Sequence, residues 1–301
     1  MPVGVFTSDA FNGHTQSRKP ITEMEHQFSY QRIPQSRIAT FDVFAIGLQK
    51  HHVSALIEFD VTDSREKLKA LRRKGIKASF NAWMIKAISE ALDRHPEAAS
   101  YLQSRSKLIL FNDINISIVV EKNIDDQKVP IPLVIERTNQ KSIADITEEI
   151  EKARSQVLSS ENVVLSRKPK LHEKLYYRLP GILRRAIWRF MLRHPKIAFN
   201  KMGNAAITSL GMVGRIDGWF IHKSVHPISF GMGSVVKKPV VIGDEIKIRE
   251  ILNMTILFDH DVIDGAPMVR LLNDLTKYVE SGGGLEGYTD ATPRIGHGTL
   301  E

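Results

Sequence analysis

His260 and Asp264 stand four residues apart in the stretch Phe258-Asp259-His260-Asp261-Val262-Ile263-Asp264-Gly265. Histidine is the side chain that offers a free base near neutral pH without help from its surroundings, so one delivered by a strand end is a candidate proton acceptor. Asp264 can fix the turn by an ion pair or by capping the next helix, and Gly265 allows the chain to turn tightly. Read alone, His-x-x-x-Asp-Gly is also the pattern of a half-buried histidine followed by an N-capping aspartate.

The elements that must position this turn are legible around it. Ala55-Leu56-Ile57-Glu58-Phe59-Asp60-Val61 reads as a strand, and Asp63 or Ser64 caps a short charged helix that runs to Lys74 and ends at Gly75. Ser79 opens a second helix whose Ala82, Ile85, Ile88, Ala91 and Leu92 form an apolar face, and His95-Pro96 stops it. Residues 108–111, 114–120 and 130–135 read as strands, and Ser142 opens a charged helix that reaches about Leu158. Later strands are expected over 205–208, 228–236, 240–242, 246–249 and 254–258. A last helix from Ala266 to about Glu280 presents Met268, Leu271, Leu272, Leu275 and Val279. Residues 1–36 read as polar and irregular. The order predicts an α/β fold of the two-layer α+β kind, with one mixed sheet and helices.

Composition excludes several classes. The 301 residues are 42% hydrophobic and 25% charged, ordinary for a chain that buries a core, and cysteine is absent, which removes disulfides and thiolate chemistry. No apolar run approaches the roughly 20 residues of a membrane span, and the first residues lack a secretory pattern, so a cytoplasmic chain is expected. His51, His52, His194, His222 and His226 lack metal-ligand spacing, and no metal is expected. The net charge is +8, yet residues 167–201 hold eleven Lys or Arg and one acid, Glu173, so the positive charge belongs to one segment. No zinc-finger spacing or aromatic RNA-binding signature accompanies it, and no nucleic-acid partner is expected.

Several stretches taken together carry a family resemblance. The His260 turn resembles the terminal signature of the dihydrolipoyl acyltransferase catalytic domain of 2-oxo acid dehydrogenase complexes, which is similar to chloramphenicol acetyltransferase. The stretches from Ser79 to Glu97, from Asn115 to Val120 and from Val129 to Ile135 resemble that domain's second helix and paired strands. Ile207-Thr208-Ser209-Leu210-Gly211 resembles its Ile-Ser-x-Leu-Gly loop. The resemblance implies a chloramphenicol acetyltransferase-like fold, a homotrimer or a cage of trimers, and an active site at the subunit interface. It also implies acyl transfer between coenzyme A and a thiol acceptor, a dihydrolipoyl group free or on a carrier. His260 would be the general base, and the family's serine falls on Thr208, with Ser209 beside it and Gly211 completing the loop. One such oxyanion donor is worth about 3–4 kcal/mol elsewhere. Asp264 would hold the His-bearing turn, with Arg37 as its candidate partner. A hydroxyl or amine acceptor, and a catalytically silent trimeric scaffold, are the alternatives.

The departures from the family pattern are as informative. Asp261 stands where many relatives place arginine, which inverts the local charge. About fifty residues precede Val53, fewer than a lipoyl domain of roughly 80 residues needs, so no lipoyl group is expected on this chain: either an acidic lipoyl or acyl-carrier domain arrives in trans, or the acceptor is something else. The expected organisation is an arm over 1–52, a catalytic domain over 53–280 with a basic helical insertion at about 160–202, and a tail over 281–301. Within the insertion, Arg185, Arg189 and Arg193 form an i, i+4 stripe beside Ile182, Ile187, Trp188, Phe190 and Met191. The plain reading comes first: a helix covering the outside of the trimer, with solvated basic residues. The functional readings are a dock for an acidic carrier and, behind it, an interfacial membrane helix, with membrane contact not expected.

Overall fold

Alternation of apolar residues along the later strands and helical spacing along three helices together build a sheet with one helix-covered face. The computed structural model describes residues 29–30, 33, 36–124, 127–155, 171–211 and 214–286, with side chains given outside 36, 121–130 and 171–174. The segment 1–28, the end of the helix expected to reach Leu158, the start of the basic insertion and the tail beyond 286 lie outside the described residues. The chain divides into two compact units, Met1–Pro34 and Gln35–Glu301, and every element below belongs to the second.

In chain order these are α1 (Ser36–Gly47), β1 (His52–Asp60), α2 (Thr62–Arg73), α3 (Phe80–Arg94), β2 (Tyr101–Ser104), β3 (Lys107–Ile109), β4 (Ile116–Ile124), β5 (Gln127–Ile135) and α4 (Ile143–Ser155). They continue with α5 (Leu171–Arg178), α6 (Gly181–Arg193), α7 (Pro195–Met202), β6 (Ala205–Ser209), β7 (Ile228–Ile242), β8 (Glu245–Asp259) and α8 (Gly265–Ser281). Six strands form one mixed sheet in the order β1-β8-β7-β6-β4-β5, and β2 pairs with β3 apart from it. β6 runs parallel to both β4 and β7, while β1–β8, β7–β8 and β4–β5 are antiparallel.

One face of the sheet carries Ile207, Phe230, Met232, Met254, Ile256 and Phe258, and it packs on Trp83, Ile88 and Leu92 of α3 and on Leu271, Leu275 and Val279 of α8. Each such buried side chain contributes about 1.5–3 kcal/mol. Ser79 caps α3 as its position predicts, its Oγ accepting from Ala82 N at 3.1 Å. The start of α2 differs from expectation: Asp60 Oδ1 accepts from the Thr62 backbone N–H (3.0 Å) and hydroxyl (2.7 Å). Ser64 is buried instead, donating to the Val279 carbonyl and tying α2 to α8.

Two further differences come from pairing between distant residues. Residues 36–47, within the stretch read as an N-terminal arm with no element assigned to them, form a helix, and its Asp42 is buried beneath Arg184 of α6. Four expected strands merge into two long ones, β7 and β8. Pro239 breaks the sequence pattern but not the strand, because beyond Val236 β7 pairs with β8 alone and needs no donor toward a third strand.

The sheet face away from α3 and α8 is crossed by residues 214–226. Trp219 Nε1 donates to the Ile57 carbonyl (3.1 Å), and His222 Nε2 bonds the Ser229 hydroxyl (2.6 Å). His226 is buried beside them between the Met202 carbonyl and Ser224. Burial pushes the imidazoles of His222 and His226 down to about 4. Between about pH 6.5 and 4 the unfolded chain therefore takes up protons that the folded chain refuses, and stability falls as pH drops through that window. The loss reaches about 1.4 kcal/mol per pH unit for each histidine. Urea midpoints at pH 7 and pH 5 should differ less in His222→Gln than in the unsubstituted chain, and an equal difference would contradict this assignment.

Candidate active site

The turn that carries His260 is built on the residue before it. Asp259 ends β8 with no exposed surface, and its Oδ2 lies 2.5 Å from Lys50 Nζ. Its carbonyl accepts from Val262 N (3.0 Å) and Ile263 N (3.3 Å), its Oδ1 accepts from Asp261 N (3.3 Å), and its own N–H donates to the Pro227 carbonyl (2.8 Å). One buried carboxylate with its peptide groups thus fixes both ends of the loop. His260 N donates to the His51 carbonyl (3.0 Å), so the backbone is held at the entry to β1 while the side chain stays half exposed.

The residues expected to hold this turn do so less than the lysine that sequence reading passed over. Asp264 occupies the N-cap position of α8, but its carboxylate makes no capping bond, is 87% exposed and lies 3.9 Å from His260 Nδ1, beyond hydrogen-bond length. Arg37 is exposed on α1 and makes no ion pair with Asp264 among the described residues. Gly265 has no positive φ, and a Cβ there would meet nothing within 4 Å, so the turn does not require glycine. Asp261 turns aside to His51, whose Nδ1 it meets at 2.9 Å, and this hydrogen bond raises the His51 pKa. Lys50 and Asp259 are the residues missed. The available signal was a lone carboxylate closing the apolar run Ile256-Leu257-Phe258.

The hydroxyl loop is shaped by a close approach. A Cβ on Gly211 would stand 2.5 Å from the Gly233 carbonyl oxygen, so this loop lies against β7 only with glycine at that position. Within β6, strand alternation sends neighbouring side chains to opposite faces. Ser209 shares the helix-covered face with Ile207, and Thr208 shares the other face with its cross-strand neighbours Gly231 and Thr255. His222 Nδ1 and Thr255 Oγ1 are buried on that face without a partner. His260 lies five residues from Thr255, about 16 Å along β8 at the usual strand rise, and Thr208 is two strands farther across. A single chain therefore does not bring Thr208 and His260 together.

Ser209 and Gly211 line a cleft of about 410 Å³ between α2, the start of α3 and β7. Arg65, Lys69, Arg72 and Arg215 stand around it, and Phe80, Leu68 and Val235 give it apolar wall. Arg65 is oriented by Glu250 (3.3 Å) and Arg72 by the Ala78 carbonyl (2.9 Å), while Lys69 is exposed. Such a cleft suits a ligand with an anionic end and an apolar arm. Among the described residues no group of three or more His, Cys, Asp or Glu side chains is placed to hold a metal ion. Of the stripe on α6, Arg189 and Arg193 are exposed and Arg185 is partly covered. Arg184, outside the stripe, is the one turned inward.

Because Asp259 is fully buried, removing Lys50 leaves an uncompensated charge beneath the His260 turn. Lys50→Met should cost about 3–5 kcal/mol in urea unfolding, and adding Asp259→Leu should recover most of it. An unchanged midpoint in Lys50→Met would contradict this role.

The geometry can be set beside known proteins. The model of the 2-oxoacid dehydrogenases acyltransferase (catalytic domain) family matches residues 35–163 and 193–285. A Staphylococcus epidermidis dihydrolipoyllysine-residue acetyltransferase component of the pyruvate dehydrogenase complex is 25% identical over 289 residues, covering 91% of this chain and 56% of the relative. The Bacillus subtilis lipoamide acyltransferase component of the branched-chain alpha-keto acid dehydrogenase complex is 26% identical over 238 residues, covering 76% and 47%. The chain spans about half the length of these curated relatives. Among solved structures, a probable dihydrolipoamide acetyltransferase from Listeria monocytogenes shares the fold with a TM-score of 0.60 at 23% identity, covering 85% of this chain and 96% of that one. A truncated catalytic core from Thermoplasma acidophilum does so at 0.59 and 21%, covering 85% and 99%. With the family's model running through the sheet and through the His260 turn, the chain belongs to the 2-oxoacid dehydrogenase acyltransferase catalytic-domain family.

Proposed function

We propose that this chain transfers an acyl group between coenzyme A and a thiol, the second thiol being a dihydrolipoyl group presented in trans. The observation that carries the reading is a half-exposed imidazole at a strand end whose backbone is fixed while its ring is left open to a substrate. His260 takes the thiol proton, and the thiolate attacks the thioester carbonyl. The tetrahedral oxyanion accepts a hydrogen bond from the Thr208 hydroxyl, and collapse expels the other thiolate, which takes the proton back from His260. The basic cleft beside Ser209 and Gly211 supports binding of the coenzyme A phosphates near Arg65, Lys69 and Arg72, with its apolar wall along the pantetheine arm.

The distance between Thr208 and His260 supports a site completed by a second copy, His260 from one chain facing Thr208 of the next. A trimer or a cage of trimers would supply that arrangement. Val53 and Leu56 on β1, Ile221, and Ile246 and Ile248 on β8 are exposed apolar side chains that such contacts would cover. No helix among the described residues is long and apolar enough to cross a membrane.

Thiol release from a panel of acyl-coenzyme A esters, with dihydrolipoamide as acceptor, tests the reaction. His260→Ala should lower kcat by about 10²–10⁴-fold with KM little changed. Absence of turnover with every donor, or full activity in His260→Ala, would reject the proposal. Thr208→Ala should lose about 10²–10³-fold in kcat while Thr208→Ser stays close to wild type. Equal losses in the two would show that the hydroxyl is not what matters.

A further inference from the structure

The family's model passes over residues 164–192, and the described part of that gap contains α6 up to Leu192, its last residue Arg193 being where the match resumes. This helix has no buried residue. Its inner side is fastened to α1 by a polar cluster: Arg184 Nε donates to Asp42 Oδ2 (2.6 Å), the Tyr176 hydroxyl donates to the same oxygen (2.9 Å), and Trp188 Nε1 donates to the Tyr176 oxygen (3.0 Å). Trp188, Met191 and Leu192 then pack beside Val43 and Ile46. Two outward sectors remain. One is an apolar ridge of Leu183, Ile187 and Phe190, exposed by 50, 47 and 58%. The other is the arginine row Arg185, Arg189 and Arg193.

We propose that α6 is an interfacial helix that seats the protein on an anionic lipid surface, the ridge entering the headgroup boundary and the arginines meeting the headgroups. Three observations favour this occupant. The ridge and the row lie side by side along one rigidly fastened helix, the layout of a helix lying in a bilayer surface. Residues 167–201 hold eleven basic residues and one acid, a charge suited to a continuous negative surface. The surface also falls where the family's model has no counterpart, so it is not part of the core that the family shares. The inference does not depend on the acyl-transfer reading.

The test is co-sedimentation of the full chain with vesicles of phosphatidylcholine, with and without phosphatidylglycerol, at low and high salt. Binding is expected to the anionic vesicles alone and to weaken with salt. Arg185→Glu with Arg189→Glu, and separately Leu183→Asp with Phe190→Asp, should each weaken binding at least about tenfold. Gel-filtration volume and melting temperature should stay unchanged in both. In a folded Phe190→Trp variant, emission should shift to the blue on adding anionic vesicles, beyond the wild-type response. No binding to anionic vesicles, or variants that bind as wild type, would overturn the proposal. Capture by an isolated acidic lipoyl domain without any vesicle binding would also overturn it and assign the surface to a protein carrier.

Discussion

A carboxylate with no exposed surface, neutralised by one lysine, underlies the arrangement of the site. Asp259 and Lys50 meet at 2.5 Å at the edge of the core, and the turn bearing His260 hangs from the peptide and side-chain oxygens of Asp259. Burying such a pair contributes little net stability, since desolvation offsets the attraction, but breaking it is costly. Its value is geometric. It fixes the backbone on either side of the imidazole and leaves the ring half exposed, as the proposed role of His260 as base would require.

The second constraint is the two-residue period of a strand. It sends Thr208 and Ser209 to opposite faces, so one loop serves two surroundings. Ser209 borders a basic cleft with apolar walls, and Thr208 joins a face where His222 and Thr255 hold buried polar atoms without partners. Gly231 permits this second face to be covered, because a Cβ there would stand 2.8 Å from His222 Nδ1. The same sheet sets His260 far from Thr208 within one chain, which gives the proposed assembly a chemical reason.

The chain also carries a surface that the family's model passes over. The Asp42–Arg184 pair plays for α6 the part that Asp259–Lys50 plays for the turn: a buried acid on one element anchors a cation on a distant one. Fastening α6 by its inner side leaves its apolar ridge and arginine row outward together.

The sequence by itself determined what local rules govern. Apolar periodicity marked α3 and α8, the Ser79 cap marked where α3 begins, and the wording around His260 and Thr208 marked the candidate chemistry. Charge counting isolated the basic segment. Only the tertiary structure decided what depends on partners far apart along the chain. Asp259 finds Lys50 from 209 positions away and Asp42 finds Arg184 from 142, and no local pattern announces either. For the same reason the Asp264 carboxylate, read as a cap for the next helix, makes no capping bond, the turn does not require Gly265, and Arg37, taken from the family resemblance, makes no ion pair with Asp264 among the described residues. Pro239 likewise lies within a strand that a local rule would end. Spacing along the chain specifies which face a side chain takes, but the folding of distant elements against one another specifies what it meets there.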